Sequence, residues 1–222
     1  MMGSLDCMHW CWKNCPVADH GQYTGKEKEP TVVLEAIASY DLWIWHAFFG
    51  LPGTLNDINI LDRSPIFEHL QEGEGLSISY KVNENQYNLA YYLTDGIYPP
   101  YATLIQSISE PQGAKKKHFA KMQESYRKDV ERAFGFYNLD MQSFVFLVDF
   151  GDTRISPISC QLTNTGISDN QRPNDSSFEQ FLLKYQSIRD HTSHTRLKSD
   201  LIDHLWNKHG SDEDNSPRSS TA

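Results

Sequence analysis

The chain has 222 residues, of which 39% are hydrophobic and 12% aromatic. This composition suits one folded domain of ordinary size and excludes a wholly disordered protein. The formal net charge of −9 argues against a broad DNA-coating surface, although an active site built from carboxylates would itself be acidic. The longest apolar run, 42–51, is interrupted by His46 and is too short to cross a bilayer, so no membrane association is expected.

The N-terminal residues do not resemble a secretion signal, because Asp6 appears before any apolar stretch. An intracellular protein with reduced cysteines is therefore expected. Three of its four cysteines, Cys7, Cys11 and Cys15, lie close to His9 in the sequence. Zinc sites usually combine such a pair of ligands with a second pair well downstream. Since no second pair follows, small buried thiols are the favoured interpretation.

The first half of the chain predicts strands joined by turns. Residues 3–9 suit a short strand, and 10–30 form a polar stretch typical of a loop. Two β-branched apolar runs, 31–39 and 42–49, flank a reversal at Tyr40 and predict a hairpin. Ser64 followed by proline then predicts the start of a short helix that continues through Leu70.

The second half begins with one more strand, predicted over 87–94 and stopped by Asp95 and Gly96. Apolar residues then recur at spacings of three and four across 112–134, which predicts one long helix with Gly135 as its C-cap. The predicted apolar stripe consists of Phe119, Met122, Tyr126, Val130 and Phe134.

The region after the long helix is less regular. Residues 136–176 have no clear period and predict a divergent, linker-like region. C-terminal helices are predicted within 177–210, one through about Ile188 and another over 197–206, followed by a polar disordered tail over 211–222. Together with a core over 1–135, this order predicts the α/β class, with a mixed sheet flanked by helices.

Three acidic residues lie on predicted elements that could bring their carboxylates together to bind divalent metal ions. Asp6 lies in the first strand, Asp95 ends the later strand and Glu131 lies near the end of the long helix. Mg²⁺ prefers oxygen ligands, and two-metal phosphodiester chemistry clamps two ions about 3.5–4 Å apart. If the two aspartate-bearing strands are neighbours, about 4.8 Å apart, both carboxylates could reach one ion and the helix could bring Glu131 to the other.

The residues alone also allow structural roles, without metal binding, at two of these positions. An aspartate before glycine, as at Asp95, is typical of a turn. Glu131 could lie on a solvated helix face and pair with Arg127 at i, i+4.

Long stretches of the sequence resemble a known family. The segments are GSLDCMHWCWKNCP (3–16), the run from Gly21 to Pro65, YYLTDGIYPPYAT (91–103) and KDVERAFG (128–135). They resemble the DDE domain of plant PIF/Harbinger-type transposases across about residues 3–135. The resemblance implies an RNase H-like fold, a metal-dependent DNA endonuclease that uses Mg²⁺ or Mn²⁺, DNA with terminal inverted repeats as the partner, and a location in the nucleus.

The resemblance also implies roles for particular residues. The aspartate of the GSLDCMHW motif is Asp6, that of the DGIYP motif is Asp95, and the glutamate of the VERAFG motif is Glu131; all three are expected to be catalytic and to bind metal. Asp57, in the matching segment PGTLNDINIL, could supplement the metal site. The favoured interpretation of Asn56 and Asp57 is nevertheless structural, as a cap of a short helix or turn.

Basic residues cluster on or near the helix that carries Glu131. They could contact the phosphate backbone of DNA or simply form a solvated helix face, and the sequence does not decide between these. They are Lys115, Lys116, Lys117, Lys121, Arg127, Lys128 and Arg132.

The sequence also departs from the family pattern. The chain starts just before the first predicted strand, so an upstream DNA-binding module is expected to be absent and a separate DNA-binding partner protein to replace it. The resemblance fades after Gly135, and we expect the weaker packing of the Glu131 helix to impair catalysis. Two alternatives therefore remain: a non-catalytic nuclear or chromatin interaction protein derived from a transposase, and a decayed transposon remnant.

Overall fold

The computed structural model describes residues 1–66, 78–136, 158–159, 183 and 186–214. The strands in chain order are β1 (Gly3–Cys11), β2 (Thr31–Ala38), β3 (Ile44–Pro52), β4 (Tyr80–Val82), β5 (Asn85–Tyr87), β6 (Tyr92–Thr94), β7 (Leu104–Gln106) and β8 (Ile158–Ser159). The helices are α1 (His20–Tyr23), α2 (Asp57–Leu61), α3 (Gly113–Arg127) and α4 (His191–Asp214). Residues 129–136 are also helical and follow a break at Lys128.

The central sheet has six strands in the order β7-β6-β1-β2-β3-β8. β1, β2 and β3 form an antiparallel meander, whereas β6 and β7 run parallel to β1 on its other side. β4 and β5 form a separate two-stranded hairpin. The predicted α/β class and mixed sheet are therefore confirmed, and the arrangement of the strands agrees with the RNase H-like prediction.

Both faces of this sheet are covered by apolar side chains. On one face, Val130 and Phe134 of the segment 129–136 pack with Trp10 of β1 and with β2. On the other face, Ile60 of α2 packs with Val33 and neighbouring residues. Burying each such side chain contributes about 1.5–3 kcal/mol, so these contacts fix both the 129–136 segment and α2 on the sheet.

Helix α4 packs against α3 at the β6–β7 edge. Leu197 and Leu201 of α4 lie with Phe119 of α3 and Ile105 of β7 in one buried cluster. α4 begins at His191, several residues before the predicted start at 197, and extends to Asp214, so the predicted tail is wrong for residues 211–214. The described part of the chain contains no helix long and apolar enough to span a membrane.

The predicted hairpin over 31–49 is confirmed as β2 and β3, and the first strand is confirmed as β1. The single strand predicted over 87–94 is wrong, because β5 ends at Tyr87 and β6 starts at Tyr92. The Tyr87 ring stacks on Tyr80, with ring centroids 5.7 Å apart, which holds it in the outer hairpin. β4 and β7 were not predicted, since strands of three residues are too short to show a period.

The single helix predicted over 112–134 is divided at Lys128, and Gly135 is not its cap, because residues 135 and 136 are still helical. The predicted stripe is also partly wrong: Tyr126 is 44% exposed, whereas Gln123 is only 3% exposed. Most of the helix predicted from Ser64 lies outside the described residues. Of the helix predicted over 177–188, residues 183 and 186–188 are described and are helical.

Candidate active site

Asp6 and Asp95 lie at matching positions on neighbouring strands. β6 runs parallel to β1, with Gly3 opposite Tyr92 and Ser4 opposite Leu93. Continuing this register by two residues brings Asp6 opposite Asp95, which directly follows β6. Because adjacent strands are about 4.8 Å apart, this register places the backbones of the two aspartates side by side at the end of β6. The site inferred from the sequence depended on these two strands being neighbours, and this condition is met.

The Asp6 carboxylate lies in a largely buried environment, with 17% of its side chain exposed. Its Oδ1 accepts a hydrogen bond from the Cys7 amide at 2.9 Å, and its Oδ2 lies 3.4 Å from Arg127 Nη1. Burial nevertheless raises the pKa of Asp6 to about 6, since these two favourable contacts do not outweigh the loss of solvation. The negative charges of Asp57 and Glu131 add to this rise in pKa.

Arg127 connects Asp6 to Glu131. The same Nη1 atom that contacts Asp6 lies 2.9 Å from Glu131 Oε1, one helical turn further on. The two carboxylate oxygens therefore cannot be farther apart than these two short distances combined. The i, i+4 pairing of Arg127 with Glu131, which the sequence offered as the alternative to a metal-binding role, is present, and the Glu131 side chain is 44% exposed.

Asp95 and Asp57 are the other two candidate carboxylates. Asp95 is exposed, and its Oδ1 accepts a hydrogen bond from the Gly96 amide, as in a turn. Burial raises the pKa of Asp57, and the negative charge of Asp95 raises it further, so these two carboxylates lie within electrostatic range of each other.

Asn56 caps α2, because its side chain accepts a hydrogen bond from the Asn59 amide at 2.8 Å. The predicted capping of a short helix is thus confirmed for Asn56. Asp57 lies in the first turn of α2, where the helix dipole favours a negative charge.

The donor set suits a hard divalent ion, since it consists of carboxylate oxygens. In the described residues, however, no three His, Cys, Asp or Glu side chains are grouped so that they could hold a metal ion. The Arg127 guanidinium lies between two of the candidate ligands instead. Metal binding by Asp6 and Glu131 would therefore require Arg127 to move.

The predicted DNA-contacting residues fall into two groups. Three of them pair with acids: Arg127 as described above, Lys115 with Asp203 of α4, and Arg132 with Asp129. The other four, Lys116, Lys117, Lys121 and Lys128, are exposed and form no ion pair with any residue that the structure describes. The charges of these four lysines are therefore not neutralised by any acid in the described part of the chain.

The other face of β1 carries a polar cluster that the sequence did not predict. Glu35 is completely buried, and His46 Nε2 lies 3.3 Å from Glu35 Oε2 and 3.2 Å from Ser64 Oγ. Cys7 lies opposite Glu35 in the sheet, with its Sγ 3.5 Å from Tyr98 Oη. Strand alternation thus places Cys7 on the face opposite Asp6.

The thiols themselves differ in burial. Cys7 is partly buried and Cys15 is buried, but Cys11 is exposed, so the prediction of buried thiols is wrong for Cys11.

Sequence reasoning also missed two polar residues that dock α3 on the sheet. Gln123 donates hydrogen bonds to the carbonyls of Thr94 and Ile105, and Ser4 donates one to the carbonyl of Tyr126. A polar residue within a helix pattern gives no sign that its partners are strand carbonyls, so no local signal could have revealed this role.

Comparison with known proteins assigns the chain to a family. The family model described as "Plant transposon protein" matches residues 1–146, a span that contains all four candidate carboxylates. No curated protein and no solved structure matches the chain. Because the family match covers well over half of its residues, the protein belongs to the plant transposon protein family.

Proposed function

We propose that the chain is the nuclease core of a PIF/Harbinger-type DDE transposase, a metal-dependent endonuclease that cuts DNA in the nucleus. The family assignment supports a transposon origin. The single observation that carries the chemistry is that Asp6 and Glu131 converge on one nitrogen of Arg127, beside the strand end that bears Asp95. This convergence of two carboxylates from distant parts of the sequence supports a site with the oxygen donors that divalent ions prefer.

Asp6, Asp95 and Glu131 would hold Mg²⁺ or Mn²⁺, with Asp57 close enough to supplement them electrostatically. When bound, a pair of such ions activates water and stabilises the attacking and leaving oxygens. The largely buried Asp6 must first lose its proton, since its pKa of about 6 leaves part of it protonated in mildly acidic solution. Arg127, once released from the carboxylates, would lie where it can contact a phosphate.

The exposed lysines of α3 would guide DNA to this site. Lys117 and Lys121 are one helical turn apart, and Lys128 continues towards Glu131 after the helix break. Duplex DNA carries about one negative charge per 1.7 Å of its axis, so such a row of lysines would contact several phosphates. DNA with terminal inverted repeats is the substrate that we propose for the active protein.

A second candidate function follows from the Arg127 contacts. An arginine that neutralises two of the three carboxylates suits a protein that keeps the fold but binds DNA or chromatin without cutting. Under this alternative the lysines retain their role, whereas the carboxylates only stabilise the docking of α3.

Cleavage of DNA with terminal inverted repeats in the presence of Mg²⁺ or Mn²⁺ separates the two functions. The variants Asp6→Asn, Asp95→Asn and Glu131→Gln each remove one candidate ligand with little change in shape. Glu84→Gln is the matched control, because Glu84 is exposed at the β4–β5 turn, outside the central sheet. Metal-dependent cutting that survives only in the wild type and Glu84→Gln supports the nuclease. A folded wild type that binds the DNA but does not cut it supports the binding protein.

A further inference from the structure

Gln123 is a buried amide on the face of α3 that packs on the sheet. Its side chain is 3% exposed, and its Nε2 lies 3.0 Å from both the Thr94 carbonyl and the Ile105 carbonyl. These carbonyls belong to the neighbouring parallel strands β6 and β7. One side chain therefore ties α3 to two strands at once, and one of its partners is the residue immediately before Asp95.

Ser4 provides a second link on the other side of the site. Its hydroxyl donates to the Tyr126 carbonyl at 2.8 Å. Ser4 lies two residues before Asp6 in β1 and shares its face of the sheet, while Tyr126 directly precedes Arg127. Each of the two links thus joins α3 to a strand within two residues of a candidate catalytic aspartate.

The spacing of residues along the helix links the position of Gln123 to that of Glu131. Gln123, Arg127 and Glu131 follow one another at intervals of four, so they share one side of the helix. Backbone hydrogen bonds from Lys128 to Glu124 and from Arg132 to Lys128 continue the helical path across the break. Fixing Gln123 on β6 and β7 therefore fixes the rotation at which Arg127 and Glu131 meet Asp6.

A glutamine at position 123 fixes the rotation of α3 on the sheet more narrowly than an apolar residue would, at a cost in stability. Gln123 Oε1 is buried and has no hydrogen-bond partner among the described residues, which carries a desolvation cost that an apolar side chain would avoid. Apolar packing tolerates small rotations, whereas two hydrogen bonds from one amide require defined distances and angles. A helix that only had to cover the sheet would not need this amide.

We propose that Gln123, assisted by Ser4, is a positioning residue that sets the rotation of α3 and so aligns Glu131 with Asp6 and Asp95. That this alignment serves catalysis rests on the proposed function. That Gln123 sets the rotation of α3 does not depend on it. Errors of about 1 Å in such a site can cost about a hundredfold in rate, so a dedicated anchor has a clear advantage.

The test compares the full-length variants Gln123→Met and Ser4→Ala with the wild type. Methionine keeps the length of the side chain and loses both hydrogen bonds. Tyr87→Phe is the control, since it removes a hydrogen bond to Asp200 that anchors a different helix, α4. Crystal structures without metal report the contact between Arg127 and Asp6, and titration with Mn²⁺ alone, followed by electron paramagnetic resonance, reports affinity.

The proposal predicts that the Arg127–Asp6 contact is lost in Gln123→Met, because α3 rotates on the sheet. Glu131 moves away from Asp6 in the same rotation, so the loss of this ligand outweighs the removal of the competing guanidinium, and the Mn²⁺ affinity falls about tenfold, as for other residues that orient metal ligands. Tyr87→Phe should keep both the contact and the affinity while lowering Tm by roughly 3 °C. If Gln123→Met does not fold, the same readouts on Ser4→Ala decide. An unchanged contact, or an unchanged affinity despite a lost contact, overturns the proposal. If the wild type binds no Mn²⁺, the metal site itself is wrong, and the contact alone then decides whether Gln123 positions α3.

Discussion

Asp6 and Glu131 bind the same nitrogen atom of Arg127, at 3.4 and 2.9 Å, although one lies on the central strand β1 and the other on the helical segment 129–136. Two carboxylates this close repel each other unless a positive charge lies between them. Arg127 supplies that charge in the protein without metal. This arrangement connects the proposed catalytic chemistry to the stability of the fold.

The first prediction concerns competition between Arg127 and metal. Arg127→Gln removes the cation that an incoming ion must displace, so Mn²⁺ should bind the variant several-fold more tightly than the wild type. Without metal, the variant should be less stable by about 1 kcal/mol, because the carboxylates lose their counter-ion. Calorimetric titration and urea unfolding measure the two effects.

Lys115→Gln is the control for this prediction, since Lys115 pairs with Asp203 on α4 and not with a candidate ligand. It should leave Mn²⁺ binding unchanged. Weaker Mn²⁺ binding in Arg127→Gln would show that the guanidinium supports the metal site instead of competing for it.

The second prediction concerns Asp6 and pH. Because burial raises the pKa of Asp6 to about 6 in the folded protein, the folded state holds this proton more tightly than the unfolded chain does. The contribution of Asp6 to stability is therefore present below about pH 4 and is lost as the pH rises through about 6. Asp6→Asn should raise the free energy of unfolding by about 1–2 kcal/mol at pH 7 and change it little at pH 4.

Urea unfolding at the two pH values measures this difference, with Glu84→Gln as the exposed control. A loss of stability in Asp6→Asn at pH 7 would mean that the contacts with Arg127 and the Cys7 amide outweigh burial, contrary to the raised pKa.

The third prediction concerns His194, which is buried and lies 2.9 Å from Gln106 Oε1 through its Nε2. Burial, with the nearby charges of Lys198 and His191, lowers the pKa of His194 to about 4. The unfolded chain therefore binds this proton first, and stability is lost as the pH falls from about 6.5 towards 4.

His194→Gln keeps a donor for Gln106 and cannot be protonated. The wild type should lose about 2–3 kcal/mol more than the variant over this pH range, measured by urea unfolding. Equal losses in both proteins would show that His194 is not protonated on unfolding.

The fourth prediction concerns the exposed lysines of α3. If Lys121 and Lys128 contact phosphates, each change to glutamine should lower the slope of log K against log salt by about 0.9 for duplex DNA. Fluorescence anisotropy with labelled DNA measures this slope. Lys81→Gln is the control, because Lys81 is exposed on the outer hairpin. A slope that falls equally for Lys81→Gln would indicate non-specific attraction rather than a defined surface.

The sequence predicted part of the framework that carries the carboxylates. Residues 3–9 suited a short strand, two β-branched apolar runs identified β2 and β3, and the helical period identified α3 and the segment 129–136 but not the break between them. Whether the strands of Asp6 and Asp95 are neighbours was left as a condition of the site, and the pairing of β1 with β6 meets it. The sequence missed β7 and the early end of β5, since strands of three residues depend on tertiary pairing more than on pattern. Glu35 was missed as well, because an acid within an apolar strand gives no sign of its buried histidine partner.

Gln123 shows the same limit within a helix. The helical period favoured Tyr126 as the buried position, and an isolated glutamine on a lysine-rich helix looks solvated. Only the packing of α3 across β6 and β7 brings its amide to two strand carbonyls. Interactions of a side chain with distant backbone atoms have no sequence signature, so this part of the site required the structure.

Diffraction from crystals soaked in Mn²⁺, recorded for the anomalous signal of manganese, tests the central claim most directly. The proposed function predicts two manganese ions about 3.5–4 Å apart, bound by Asp6, Asp95 and Glu131, with Arg127 displaced from both of its carboxylate partners. Crystals in which Arg127 still bridges Asp6 and Glu131, with no manganese beside them at saturating concentration, would contradict it.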